Sequence, residues 1–261
     1  KFIKPYMPTL LPTIWSLLTQ MADIYINLVV NEGDVDPFDG NEDEKDNFIK
    51  MILQIFELIH SLAESKKFKV LIKSVLGDLV YVLVLYMQMT EEQMILWNDD
   101  VEKFIDDEDS DAGVDCSIRS SGKDILLKLG DEFEGAFLGG LTEAVTKLVA
   151  LSDSERNSGK PNWWKTHEAT MLSFENSDFK ALVLNNDAFN LAEYLNLVKG
   201  LMAYHVSPYL LGRCALTLAK YIETEACTAH IADALNTITA SFSADKPMTS
   251  KVYAIRATYE I

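Results

Sequence analysis

The chain has 261 residues, 48% of them hydrophobic, enough to bury a core as one or two ordinary domains or as a short solenoid. It carries 40 acidic residues against 23 basic ones, a formal net charge of −17. A surface of that sign repels nucleic acid and anionic membranes and attracts basic proteins, so a phosphate-binding role is disfavoured.

From the first residue, Pro5, Pro8 and Pro12 open a helix that runs to about Val30, and Pro12 kinks it unless the helix proper starts there. The chain begins on Lys1 with no signal-peptide pattern, and its last residues stay helix-like to Ile261, so it reads as a piece of a longer protein. Residues 31–47 hold eight acids and one lysine, too polar and self-repelling to pack, and are expected to form a loop. Phe48, Ile52, Phe56, Ile59 and Ala63 then climb one helical face. The segment 66–89 is almost wholly apolar in its second half, but Lys73 and Asp78 interrupt it. A bilayer span needs about 20 apolar residues, so a helix buried between neighbours is expected instead.

Thr90-Glu91-Glu92-Gln93 reads as a capping box, with the hydroxyl at the N-cap and the amide three residues on. Residues 98–115 hold nine acids and one lysine and are expected to form a second acidic loop. The two stretches carry 15 of the 17 net negative charges, so the rest of the chain is close to neutral. Helical periodicity then predicts helices over 117–134, 135–151, 162–175, 188–206, 208–222, 225–242 and 248–261, with Ser207-Pro208 supplying an N-cap and an N1 proline. Alternate starts at 117, 162, 208 and 248 match a two-helix unit of about 40–47 residues, the HEAT or armadillo period. The fold class is therefore all-α, a right-handed solenoid of antiparallel helix pairs over 1–261, with acidic insertions at 31–47 and 98–115. An ordinary helical bundle remains the alternative at this point.

Motifs that would carry chemistry are incomplete. Asp107, Asp109 and Asp111 have the spacing that opens an EF-hand loop, but Ala112 and Ile118 stand where that loop needs Gly and Glu. His167-Glu168 begins an HExxH zinc motif that fails at Met171. Gly122-Lys123 and Gly159-Lys160 lack the rest of a phosphate-binding loop. The three cysteines, Cys116, Cys214 and Cys227, form no CxxC pair and suit a reducing compartment. No enzyme activity, cofactor or metal is expected. Trp163-Trp164 read either as packing between repeats or as aromatic anchors at an interface.

Several local words carry a family resemblance. They are Tyr86-Met87-Gln88-Met89-Thr90-Glu91-Glu92-Gln93, then Trp97, then Phe104-Ile105-Asp106-Asp107-Glu108-Asp109, and Ser117-Ile118-Arg119 opening the next helix. Asn157-Ser158-Gly159 before Trp163-Trp164, and Val206-Ser207-Pro208-Tyr209-Leu210-Leu211-Gly212-Arg213, belong to the same pattern. Together they resemble the middle of a member of the importin-β (karyopherin-β) superfamily, with a departure from the family pattern around 173–187. The resemblance implies a carrier that shuttles between cytoplasm and nucleus, wraps basic cargo such as core histones, ribosomal proteins or actin, and meets nucleoporins on the way. It also implies release controlled by the GTPase Ran, whose main binding surface lies in repeats this chain lacks. On that reading Asp106, Asp107, Glu108, Asp109 and Asp111 form the group that faces cargo or Ran. The competing readings are a HEAT scaffold without transport duty and an acidic histone chaperone.

Overall fold

The computed structural model of the chain describes residues 4–33, 38, 40–109, 117–175, 177–186 and 188–261. Among them are fourteen α-helices and no strand. The helices are α1 (Met7–Tyr25), α2 (Glu42–Glu64), α3 (Lys69–Lys73), α4 (Leu76–Tyr86), α5 (Glu91–Asp99), α6 (Val101–Asp109) and α7 (Ile118–Phe133). They continue as α8 (Gly135–Asn157), α9 (Trp164–Leu172), α10 (Ser177–Leu184), α11 (Leu191–Met202), α12 (Pro208–Lys220), α13 (Ile231–Ser241) and α14 (Met248–Glu260). The starts of α7, α9, α12 and α14, at Ile118, Trp164, Pro208 and Met248, keep the expected period with steps of 46, 44 and 40 residues.

Why these residues form helices is visible at the ends. At α5 the capping box closes as the sequence predicts: Gln93 N–H donates to the Thr90 hydroxyl and Thr90 N–H donates to the Gln93 carboxamide, both at 3.0 Å. Ser117 accepts from Ser120 N–H at 3.0 Å to open α7, and Ser207 caps α12 ahead of Pro208. Pro12 lies inside α1, which runs across it and continues through a π-helical turn over Ile26–Val30. The expected helix 66–89 divides at Ser74–Val75 into α3 and α4. Helix α10 falls within 173–187, where the sequence departs from the family pattern.

The helices pack as α2 on α7, α4 on α8, α9 on α12 and α12 on α14. The apolar run of α4 is core: Leu79, Val80, Val82, Leu83, Val84, Leu85 and Tyr86 are all buried. Tyr86 donates its hydroxyl to the Leu18 carbonyl at 2.7 Å and so ties α4 to α1. The Gly139-Gly140 pair, a cost of about 1 kcal/mol per glycine in a helix interior, has a packing reason at Gly140. A Cβ there would lie 3.1 Å from Gly77 N and from Leu76, tight enough that α8 and α4 would have to shift by a few tenths of an ångström to admit it. Gly212 plays the same part where α12 meets the Tyr253 ring of α14.

The loop expectation for the acidic stretches is corrected over 42–47 and over 98–109; residues 31–33, 38, 40 and 41 are non-helical as expected, and 34–37, 39 and 110–115 lie outside the described residues. Helix α2 already begins at Glu42, with Asn41 as N-cap and Glu42, Asp43 and Glu44 in its first turn, where the helix dipole favours carboxylates. Residues 98–109 are helical apart from the Asp100 hinge, whose carboxylate accepts Glu102 N–H at 3.0 Å and Lys103 N–H at 3.2 Å. The charge count hid an amphipathic pattern: Val101, Phe104 and Glu108 recur at helical spacing, and Phe104 and Glu108 are buried.

Candidate functional site: the acidic hairpin and its anchors

Helices α5 and α6 form a hairpin whose inner face is aromatic. Trp97 packs on Phe104 at 5.3 Å between ring centroids and on Tyr209 of α12 at 5.7 Å, while Phe104 meets Tyr253 of α14 at 5.3 Å. Trp97 Nε1 donates to Asp107 at 2.7 Å, and Lys103 pairs with the same carboxylate at 2.9 Å.

One turn further, Glu108 enters a buried ion cluster. Arg119 of α7 donates to Glu108 at 3.1 Å, and Arg213 of α12 also pairs with Glu108. Glu168 of α9 accepts from both guanidinium groups, from Arg119 at 2.8 and 3.0 Å and from Arg213 Nε at 2.9 Å. Arg213 further reaches Glu175 at 2.6 Å and the Tyr253 hydroxyl at 3.2 Å, and Arg119 donates to the Met87 carbonyl. Glu108, Arg119, Glu168 and Arg213 have side chains at most 7% exposed, so the cluster is dry. Burial alone would push the Glu108 carboxyl up; Arg213 and Arg119 outweigh it and hold the group at about 2. The same carboxylates hold the Arg119 and Arg213 guanidinium groups protonated, above their ordinary range.

The five acids expected to face a partner therefore divide. Asp106 is exposed, and Asp109 is exposed and pairs with Arg256 of α14 at 2.7 Å. Asp107 is half-buried under Trp97. Glu108 does not face solvent at all, a correction that follows from its place one turn after Phe104 on the inner face. Asp111 lies outside the described residues. The exposed carboxylates of the hairpin are Glu92, Asp99, Asp100, Glu102, Asp106 and Asp109. Those at the start of α2, Glu42, Asp43, Glu44 and Asp46, are a second exposed group.

Trp163 and Trp164 are buried at 7% and 5% exposure. Trp163 packs on Tyr204 at 5.0 Å and on His167 at 5.8 Å, and the Arg156 guanidinium lies 5.3 Å from its ring. His167 is buried, its Nε2 has no partner among the described residues, and burial lowers its pKa to about 4. Beside the tryptophans a second anchor ties the acidic regions together. Lys165, fully buried, donates to the Val30 carbonyl at 2.6 Å and to Glu91 at 2.7 Å. Asn162 donates to Asn31 at 2.9 Å and to Glu91 at 3.2 Å. The start of the first acidic stretch and the start of the hairpin thus meet on the α9 entry. Burial pulls the Lys165 ammonium below its ordinary range, and Glu91 draws it part of the way back.

Sequence reasoning missed Arg119, Glu168, Arg213 and Lys165 as a structural set. One signal was present in the sequence, since Arg213 stands in the largely apolar run Leu210 to Leu218, whereas the burial of Glu168 on every side of its helix is visible only in the structure. Charges in such positions call for buried partners. Among the described residues no group of three or more His, Cys, Asp or Glu side chains is arranged to hold a metal. Cys214 and Cys227 are buried free thiols, and Cys116 lies outside the described residues.

The profile of the importin-9 central HEAT repeats matches residues 72–261. The chain is also similar to Importin-9 of Drosophila melanogaster, 36% identical over 98% of this chain and 25% of the relative. It therefore spans about a quarter of the length of that curated relative.

Proposed function

This chain belongs to the importin-9 family of HEAT-repeat proteins, and from that premise we propose that it is the central part of a nuclear import receptor whose α5–α6 hairpin presents carboxylates to a basic protein cargo. The observation that carries this reading is the division of the hairpin. Its inner face is locked by Trp97, Phe104 and Glu108, six of its acids are exposed, and the negative charge of the chain is concentrated in the 98–115 and 31–47 stretches. Fixed carboxylates attract lysine- and arginine-rich proteins and set their approach. Each exposed pair is worth only about 0–1 kcal/mol, so capture relies on many at once. The cargo that fits is a core histone or a ribosomal protein, carried between cytoplasm and nucleus past nucleoporins and released under control of Ran. The acids at the start of α2 extend the same surface chemistry.

The test is a titration of the chain with a core histone dimer beside the triple variant Asp99→Asn, Glu102→Gln, Asp106→Asn. The expected result is a salt-sensitive complex that the triple variant weakens about tenfold or more. Equal affinity would remove the hairpin from cargo binding. Repeating the titration of the full-length receptor with GTP-loaded Ran separates transport from its rivals: a carrier loses the histone, whereas a chaperone or scaffold keeps it.

A further inference from the structure

A cavity of about 150 Å³ opens beside the second anchor, lined among others by Asn31, Gln88, Glu155, Lys160, Asn162 and Trp163. Liquid water takes about 30 Å³ per molecule, so the space suits a handful of waters or the end of one long side chain.

Its lining is rich in acceptors. Glu155 brings a carboxylate. Asn31 already accepts one hydrogen bond from Asn162, and its carboxamide oxygen has a second lone pair. Gln88 accepts only a 3.3 Å contact from Thr166, and Asn162 uses its amide nitrogen on Asn31 and Glu91, which leaves its oxygen as an acceptor. Trp163 contributes an indole that already has one cation, Arg156, over its ring at 5.3 Å. The cation lining the cavity is Lys160, whose ammonium lies 3.0 Å from Glu155 on a side chain that is 62% exposed. Lys160 is thus the partner that solvent can take up, while Glu155, 18% exposed, stays in the cavity wall. The position is equally specific: Asn31 opens the first acidic stretch, and Asn162 is bonded to Glu91 in the first turn of the hairpin.

We propose that this cavity receives the ammonium or guanidinium head of one lysine or arginine from a basic protein partner, which takes the place of Lys160 against Glu155. The acceptor set suits a cation, and an anion would find Lys160 alone among the lining residues to meet it. The exposed acids steer a basic surface without selecting a residue, whereas a cavity of this size selects one. The proposal rests on the reading of the chain as a receptor for basic cargo.

It is tested by the same histone-dimer titration with Glu155→Gln, Lys160→Met and, as a charge control, Lys246→Met on the α13–α14 turn. Melting curves establish that each variant is folded. The expected result is several-fold weaker binding for Glu155→Gln and several-fold tighter binding for Lys160→Met, with a smaller change for Lys246→Met. If the triple hairpin variant weakens binding while Glu155→Gln and Lys160→Met match the parent, the cavity proposal falls and the receptor reading stands. Equal gains for Lys160→Met and Lys246→Met would reduce the effect to net charge and overturn it as well. If the parent chain forms no salt-sensitive complex with the histone dimer, the receptor reading fails and the cavity proposal with it.

Discussion

The two faces of the α5–α6 hairpin use the same residue type for opposite ends. Glu108 on the inner face is dry, held by Arg119 and Arg213, and screened far less by salt. Two residues earlier Asp106 is exposed, where water and salt weaken whatever it attracts. A run of acids is thus not one object. Its helical period of about 3.6 residues sends one carboxylate into the core and leaves its neighbours in solvent. A similar contrast recurs between α4 and α8, where Lys147 bridges Asp78 at 2.8 Å and Glu143 at 2.7 Å entirely at the surface. That triad joins two helices as the buried cluster joins five, yet the solvent around it already supplies what its partners would.

The largest effect that sharpens this contrast is expected from Glu168→Gln. It leaves two buried guanidinium groups short of a carboxylate, a loss on the order of 3–5 kcal/mol readable by denaturant unfolding. Lys165→Met comes next. It leaves the Val30 carbonyl without its donor and Glu91 with Asn162 alone, and costs about 1–3 kcal/mol, with loosening where the two acidic regions meet.

Acid should destabilise the fold in two stages. His167 has its pKa lowered from 6.5 to about 4 by burial, so between those values the unfolded chain binds the proton and the folded one does not. Its contribution is complete above pH about 6.5 and is lost as the pH falls towards about 4. Glu108 is lowered from 4.5 to about 2, so its contribution is lost in turn between those values. Unfolding free energy measured against pH should decline through both windows, and His167→Gln should flatten the upper one alone. The smallest effect belongs to the surface triad: Lys147→Met should leave the unfolding midpoint where it was, and a clear drop would show that exposed pairs brace the helices after all.

Much of the fold was open to sequence reasoning because it rests on local rules. The capping box at Thr90, the Ser207-Pro208 start and the spacing of Ile118, Trp164, Pro208 and Met248 depend on residues a few positions apart or on a regular period. The hairpin was hidden by its own charge: a composition count over 98–115 sees nine acids and misses Val101, Phe104 and Glu108 on one face. The buried cluster was hidden by distance, since Glu108 meets Arg213 across 105 residues and Arg119 meets Glu168 across 49. Periodicity scores an arginine as polar wherever it stands, and only packing reveals which carboxylate waits for it.

One acidic helix is thus divided into a structural carboxylate, Glu108, and solvent-facing ones. The most direct test is the unfolding free energy of Glu108→Gln measured beside that of Asp106→Asn. The division predicts a loss on the order of 3 kcal/mol or more for the first and a change within about 0.5 kcal/mol for the second. Equal small changes in both would contradict it, because Glu108 would then be one more solvated acid and the hairpin would have no anchor.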